Sequence, residues 1–147
     1  MRSACVLLAA LALAGCGNDV DVELVWGGPP DAGSGGAVSA QGFSGFQQEV
    51  DEDWERSPAM AAAVFLRLDE RKAVRTTIDA KAGPEGGGDQ IVTVTLDGLA
   101  DDSVRAERWT LGFGEGDDGV YALTGALREL RCHEGRGHQD FAGEACT

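Results

Sequence analysis

No apolar stretch in these 147 residues reaches the roughly 18–20 positions that a spanning helix needs, which excludes a polytopic membrane protein. Basic residues are scarce. Twelve Lys and Arg stand against 25 Asp and Glu, a formal charge of −13, so no basic surface exists to neutralise a row of phosphates. That excludes a nucleic-acid binder. Only four Cys and two His occur, which limits the material for a metal cage or a histidine-based catalytic group. Proline is rare as well, and 22 Gly with four Pro fall short of a collagen-like or wholly disordered composition. What remains is a one-domain length with ordinary apolar content.

The N-terminus carries the most specific signal. Arg2 precedes an apolar stretch over Val6–Leu13, followed by Leu13-Ala14-Gly15-Cys16. A plain secretory signal ends in small residues. Here a cysteine follows directly, and the tetrapeptide resembles the lipobox of bacterial lipoproteins. The resemblance spans residues 1–16 only. It implies that residues 1–15 are a cleaved signal peptide and that the Cys16 thiol receives a diacylglyceryl group, usually with a further acyl chain such as palmitate on the new α-amine. Two or three chains hold a protein at a membrane, whereas one binds reversibly. The alternative is an ordinary signal peptide that leaves Cys16 a free thiol. Gly17, rather than Asp, follows Cys16; by the same resemblance the destination is the outer membrane facing the periplasm in a Gram-negative envelope, and otherwise the outer face of the cell membrane.

Residues 17–55 hold nine acidic side chains and no Lys or Arg, with Gly27-Gly28-Pro29-Pro30 and Gly33-Ser34-Gly35-Gly36 as linker punctuation. One-sign charge and low hydrophobicity predict a mobile tether over 16–55. Val22, Leu24, Val25, Trp26, Phe43 and Phe46 are its exceptions, able to dock on a domain that starts at residue 56. In that domain, 56–147, Ser57-Pro58 reads as an N-cap and first helical position. Met60, Ala61, Val64, Phe65 and Leu68 then recur at helical spacing, predicting a helix over about 58–70. Val74, Thr76, Ile78, Ala80 and Ala82 alternate with polar residues as a strand. Further strands are expected at Ile91–Leu96 and about 104–113, the latter with a bulge near Glu107. Val120–Cys132 fits a strand or a helix, and the Gly/Asp turn before it favours the strand. The expected fold is α+β, one N-terminal helix packed on a four-stranded antiparallel meander with a C-terminal disulfide loop. Its element order resembles cystatin-like and nuclear-transport-factor-like arrangements, a resemblance that assigns no function.

Cysteine arithmetic governs the C-terminus. Cys5 leaves with the signal peptide and Cys16 is assigned to lipid, which leaves Cys132 and Cys146 to pair in an exported protein. The rival is a zinc site built from Cys132, His138 and Cys146 with His133 or Asp140, although no usual ligand spacing is present. Gly135-Arg136-Gly137 reads as a turn, with an anion contact for Arg136 as the alternative. His133 and His138 have Asp101, Asp102, Asp140 and Glu144 as conceivable orienting partners, but no nucleophile sits in a recognisable elbow. Gly112–Gly119 reads as a hairpin turn, since it lacks the ligand ladder of a calcium loop. Phe65, Trp109, Phe113 and Tyr121 form the expected core, or line a pocket between helix and sheet. The expectation is a membrane-anchored envelope lipoprotein acting as a binding or interaction module, not an enzyme and without a cofactor or metal, whose partner is an envelope protein or small ligand. Alternatives are a ligand-binding or enzymatic pocket and a structural envelope lipoprotein.

Overall fold

A computed structural model describes residues 24–30, 33–84 and 88–147. The expected signal peptide, residues 1–15, and the expected lipidation site Cys16 lie outside the described residues. The elements run β1 (Gly36–Val38), α1 (Gln41–Gln47), a 3-10 turn (Asp53–Arg56), α2 (Pro58–Leu66), β2 (Ala73–Ala82), β3 (Gln90–Leu99), β4 (Val104–Glu115) and β5 (Tyr121–Cys132). The strands form one antiparallel sheet in the order β1-β5-β4-β3-β2. The fold is α+β. Among the described residues it has five strands and two helices where the sequence pattern suggested four and one.

The difference arises in the stretch expected to be a tether. Residues 36–56 form β1, α1 and the 3-10 turn, and Phe43 is fully buried. Aromatic burial outweighs the one-sign charge there. Trp26 meets Phe43 edge-on at 5.2 Å and stacks on Phe65 at 6.0 Å, while Phe46 and Trp54 stack at 6.2 Å. Such pairs add about 0.5–1.5 kcal/mol each beyond the area they bury. The Trp26 indole N–H also donates to the Phe65 carbonyl at 2.8 Å, satisfying an orphan acceptor at the end of α2.

Helix α2 begins as its sequence dictates, with the Ser57 hydroxyl accepting the Met60 N–H and Pro58 in the first turn. It stops four residues short of the expected end. Arg67 adopts a left-handed conformation (φ 49°), and the Leu68 N–H returns to Ala63 O while the Arg67 N–H returns to Val64 O. This is a Schellman closure with Arg in the place usually taken by Gly. The buried side is Ala61, Ala62, Phe65 and Leu66; Met60 is 57% exposed, so the core-facing stripe is rotated from the one expected. Apolar residues surround α2, so the sequence period fixes its existence better than its facing.

Phe43, Phe65 and Leu66 pack onto Val92, Val94, Leu96, Trp109, Leu111, Phe113 and Leu123, closing the core between helices and sheet. Two bulges shape β4 and β5. The pairing shifts between Val104 and Ala106, close to the bulge expected near Glu107, and again between Gly112 and Phe113. The second leaves Thr124 as an extra residue on β5 and changes its phase, so buried positions run Leu123, Ala126, Arg128 and Leu130. That three-residue step explains why the segment also read as a helix.

The two edges of the sheet are treated unequally. Along β5, β1 pairs with Ala126–Arg128, and Ala142 exchanges both backbone bonds with Leu130. Beyond the end of β1, the Gln47 side chain donates to Tyr121 O (2.9 Å) and accepts from Leu123 N–H (3.1 Å), and Ser44 donates to Leu123 O. The opposite edge is β2, where every residue from Val74 to Ala82 is exposed. Val74, Thr76, Ile78 and Ala80 share the sheet face that carries the core, yet the helices do not cover them.

Candidate functional site

A carboxylate in the core phase of β4 organises the most heavily charged buried locus. Glu107 alternates with Trp109, Leu111 and Phe113, and it is buried with 4% of the residue exposed. Arg71 Nη2 lies 3.0 Å from its Oε2, the Trp109 indole N–H donates to the same oxygen at 3.0 Å, and Arg128 Nη2 pairs with Oε1. Arg128 also lies over the Trp109 ring, 5.7 Å from its centroid. One buried carboxylate thus ties the loop after α2 to β4 and β5. Outside it opens a cleft of about 360 Å³, bordered by Gly28, Pro29, Arg67, Glu70 and Arg71. The carboxylate is committed to three donors, which makes the cluster a structural clamp.

The sequence singled out other side chains. Phe65, Trp109 and Phe113 are core residues, and Tyr121 packs at the core margin. Among the described residues no one cavity is lined by all four; Trp109 floors the cleft beside Arg71, and Phe113 borders a separate one near Gly83.

Cys132 and Cys146 form a disulfide, with Cα atoms 5.5 Å apart. The chain approaches it closely: a Cβ at Gly137 (φ 138°) would sit 2.8 Å from Cys132 Sγ. The ligand atoms of Cys132, His138 and Cys146 lie within 4.8 Å of one another, but the two sulfurs are bonded together and are not thiolates. His138 is occupied too. Its Nδ1 lies 2.8 Å from Asp140 O and its Nε2 3.1 Å from Glu144 O. Both partners are carbonyl acceptors, so only the imidazolium can donate to both. The Asp140 carbonyl first, then that of Glu144, raises the His138 pKa above its ordinary value. The ring therefore laces the loop closed.

Arg136 belongs to the same closure: its backbone exchanges with His133 O and the Thr147 N–H, in a turn with Gly135 at φ 79°. Asp101 accepts the Val104 and Ser103 N–H groups at 2.7 and 2.8 Å, which hold its carboxyl below its ordinary value. Asp118 accepts the Val120 N–H in the β4–β5 turn. Phe141, at the base of the loop, carries Arg108 and Arg131 over its ring at 4.5 and 4.8 Å.

Sequence reasoning missed the Glu107 clamp. The available signal was a carboxylate in phase with Trp109, Leu111 and Phe113, a position that demands buried partners. It also missed an apolar cleft of about 430 Å³ between the N-terminal segment and α2, where Leu24, Val25 and Met60 stand 49, 68 and 57% exposed. Comparison with known protein families, with curated protein sequences and with solved structures finds no match to this chain.

Proposed function

We propose that the chain is a lipid-anchored bacterial envelope protein, held to the membrane through Cys16, whose α+β domain works as a binding or interaction module. The observation that carries the anchor is Leu13-Ala14-Gly15-Cys16 at the end of the apolar stretch. The destination is the outer membrane facing the periplasm in a Gram-negative envelope, and the outer face of the cell membrane otherwise. The folded part supports the reading in two ways. The first described residue, Leu24, is only eight positions past Cys16, a reach of at most about 29 Å. The domain would therefore sit close to the lipid surface, and Leu24, Val25 and Met60 gather where the chain arrives from its anchor. An exported domain with a Cys132–Cys146 disulfide also belongs in an oxidising compartment.

The module reading rests on what the described residues present outward: a strand exposed from Val74 to Ala82 and an apolar cleft open to solvent. Both are surfaces for contact with other molecules. The test is crosslinking in intact envelopes, comparing the wild type with Cys16→Ser. The wild type is expected in the membrane fraction with crosslinked partners, and Cys16→Ser is expected to leave that fraction with an unlipidated mass. Equal membrane association of the two proteins would overturn the anchor. Wild type that is membrane-bound but yields only uncrosslinked monomer would overturn the module.

A further inference from the structure

We propose that the open edge of β2 pairs with the β2 edge of a second copy of this chain, antiparallel about a two-fold axis at Thr77, joining two five-stranded sheets into one. This rests on the interaction-module reading and names the partner of that surface. Exposed edges are usually shortened, bulged, covered, charged or interrupted by proline. The β5 edge is covered throughout, by β1, by Ala142, and by Gln47 and Ser44. Among the described residues the β2 edge has only the charges of Arg75, Asp79 and Lys81 to guard it over Ala73–Ala82, and its pairs with β3 keep one register.

The hydrogen-bond phase limits how a strand can add. The Gly83 N–H donates to Asp89 O at 2.7 Å, so Gly83 faces β3. By antiparallel alternation, Val74, Thr76, Ile78, Ala80 and Ala82 turn their backbone groups outward. An incoming copy must then set even residues opposite even ones. Charge chooses among the registers that remain. Centred on Thr77, the pairing sets Arg75 opposite the second copy's Asp79, and Asp79 opposite its Arg75. Those are non-hydrogen-bonded positions, where facing side chains lie closest. On the other face Val74 meets Ala80 and Thr76 meets Ile78, covering apolar atoms of Val74 and Ile78 that are 89 and 43% exposed as residues. Centring on Ile78 would set Arg75 against Lys81, a like-charge pair. Centring on Ala80 would pair Asp79 with Lys81 but would halve the overlap. Asp79 now lies 3.0 Å from Lys81 in an exposed contact that yields at little cost.

The pairing is self-complementary, as a two-fold interface must be. It is tested on the full chain, exported with its own N-terminus, by oxidation in intact envelopes and non-reducing electrophoresis. Thr77→Cys is expected to form a covalent dimer, because facing Cα atoms at such a position are about 4.5 Å apart. Ile78→Cys is expected to stay monomeric. Adding Asp79→Arg to Thr77→Cys should reduce the dimer about tenfold or more, and adding Arg75→Asp as well should restore it, which separates the charge pair from a folding defect. Thr77→Cys that remains monomeric, an equal dimer from Ile78→Cys, or an adduct with another protein would overturn the proposal. Envelope fractionation of the same sample separates the two readings. A Thr77→Cys dimer absent from membranes upholds the pairing and overturns the anchor. Membrane-bound monomer overturns the pairing alone.

Discussion

Replacing Glu107 by Gln removes a buried negative charge that pairs with Arg71 and Arg128, while nearly preserving shape. Glu107 accepts from Arg71 and the Trp109 indole at 3.0 Å, and from Arg128 on its other oxygen. A Gln keeps one acceptor and turns an NH2 group toward a guanidinium. Breaking a buried ion pair from one side costs about 3–5 kcal/mol, chiefly because the remaining charge stays desolvated. The Arg128 side chain is 11% exposed and that of Arg71 is 27%, so water relieves Arg71 more than Arg128. The expected loss is therefore at the lower end, about 3 kcal/mol. Glu129→Gln is the matched control. It breaks the Arg108–Glu129 pair, whose side chains are 37 and 20% exposed, and should cost no more than about 1 kcal/mol. Equilibrium urea unfolding of a soluble form lacking residues 1–16 reads both. A Glu107→Gln loss no larger than that of Glu129→Gln would show that the two guanidiniums do not depend on Glu107, and the clamp would be refuted.

Replacing Cys132 and Cys146 together by Ser should lower stability by roughly 2–4 kcal/mol and loosen chiefly residues 133–147; hydrogen exchange uniform over the whole sheet would contradict that. The raised His138 pKa gives the same loop a pH dependence of definite sign. Its contribution is complete below the ordinary value of 6.5 and is lost as pH rises through the raised folded value, so amide exchange at 138–147, corrected for its intrinsic rate, should quicken across that interval. Constant protection from pH 6 to 9, or a His138 ring that titrates below its ordinary value, would contradict the bridged imidazolium. Arg67→Gly removes a left-handed non-glycine residue at the end of α2 and should stabilise by about 0.5–1 kcal/mol, after loss of the exposed Arg67–Glu70 pair. A thermal midpoint lowered by the change would mean that Arg67 packing over Gly28 outweighs its backbone strain.

The disulfide was legible because bookkeeping of four cysteines leaves one pair, whatever the fold. The strands of β2, β3 and β4 were legible because their two-residue alternation is local. The phase of β5 was not, since the bulge at Thr124 is set by pairing with Gly112 and Phe113 across the sheet. Residues 33–55 misled for a different reason. Charge and glycine there describe the solvent side, whereas Phe43 decides the fold by packing with Trp26, Trp54 and Phe65, the last of which lies far along the chain, and Phe46 packs with Trp26. Glu107 stood out only by phase, and its partners Arg71 and Arg128 come from distant segments. The open β2 edge follows from the expected meander, whose first strand is an edge, whereas closure of the other edge by β1 was hidden because β1 lies in the stretch read as a tether.

The proposed anchoring of this domain through a lipid on Cys16 is best decided by the intact mass of the protein extracted from envelopes. The account predicts a chain that starts at Cys16 and carries the added mass of a diacylglyceryl group, with or without a further acyl chain, together with an oxidised Cys132–Cys146 pair. A chain that still begins at Met1, or one that begins at Cys16 with an alkylatable thiol, would contradict it.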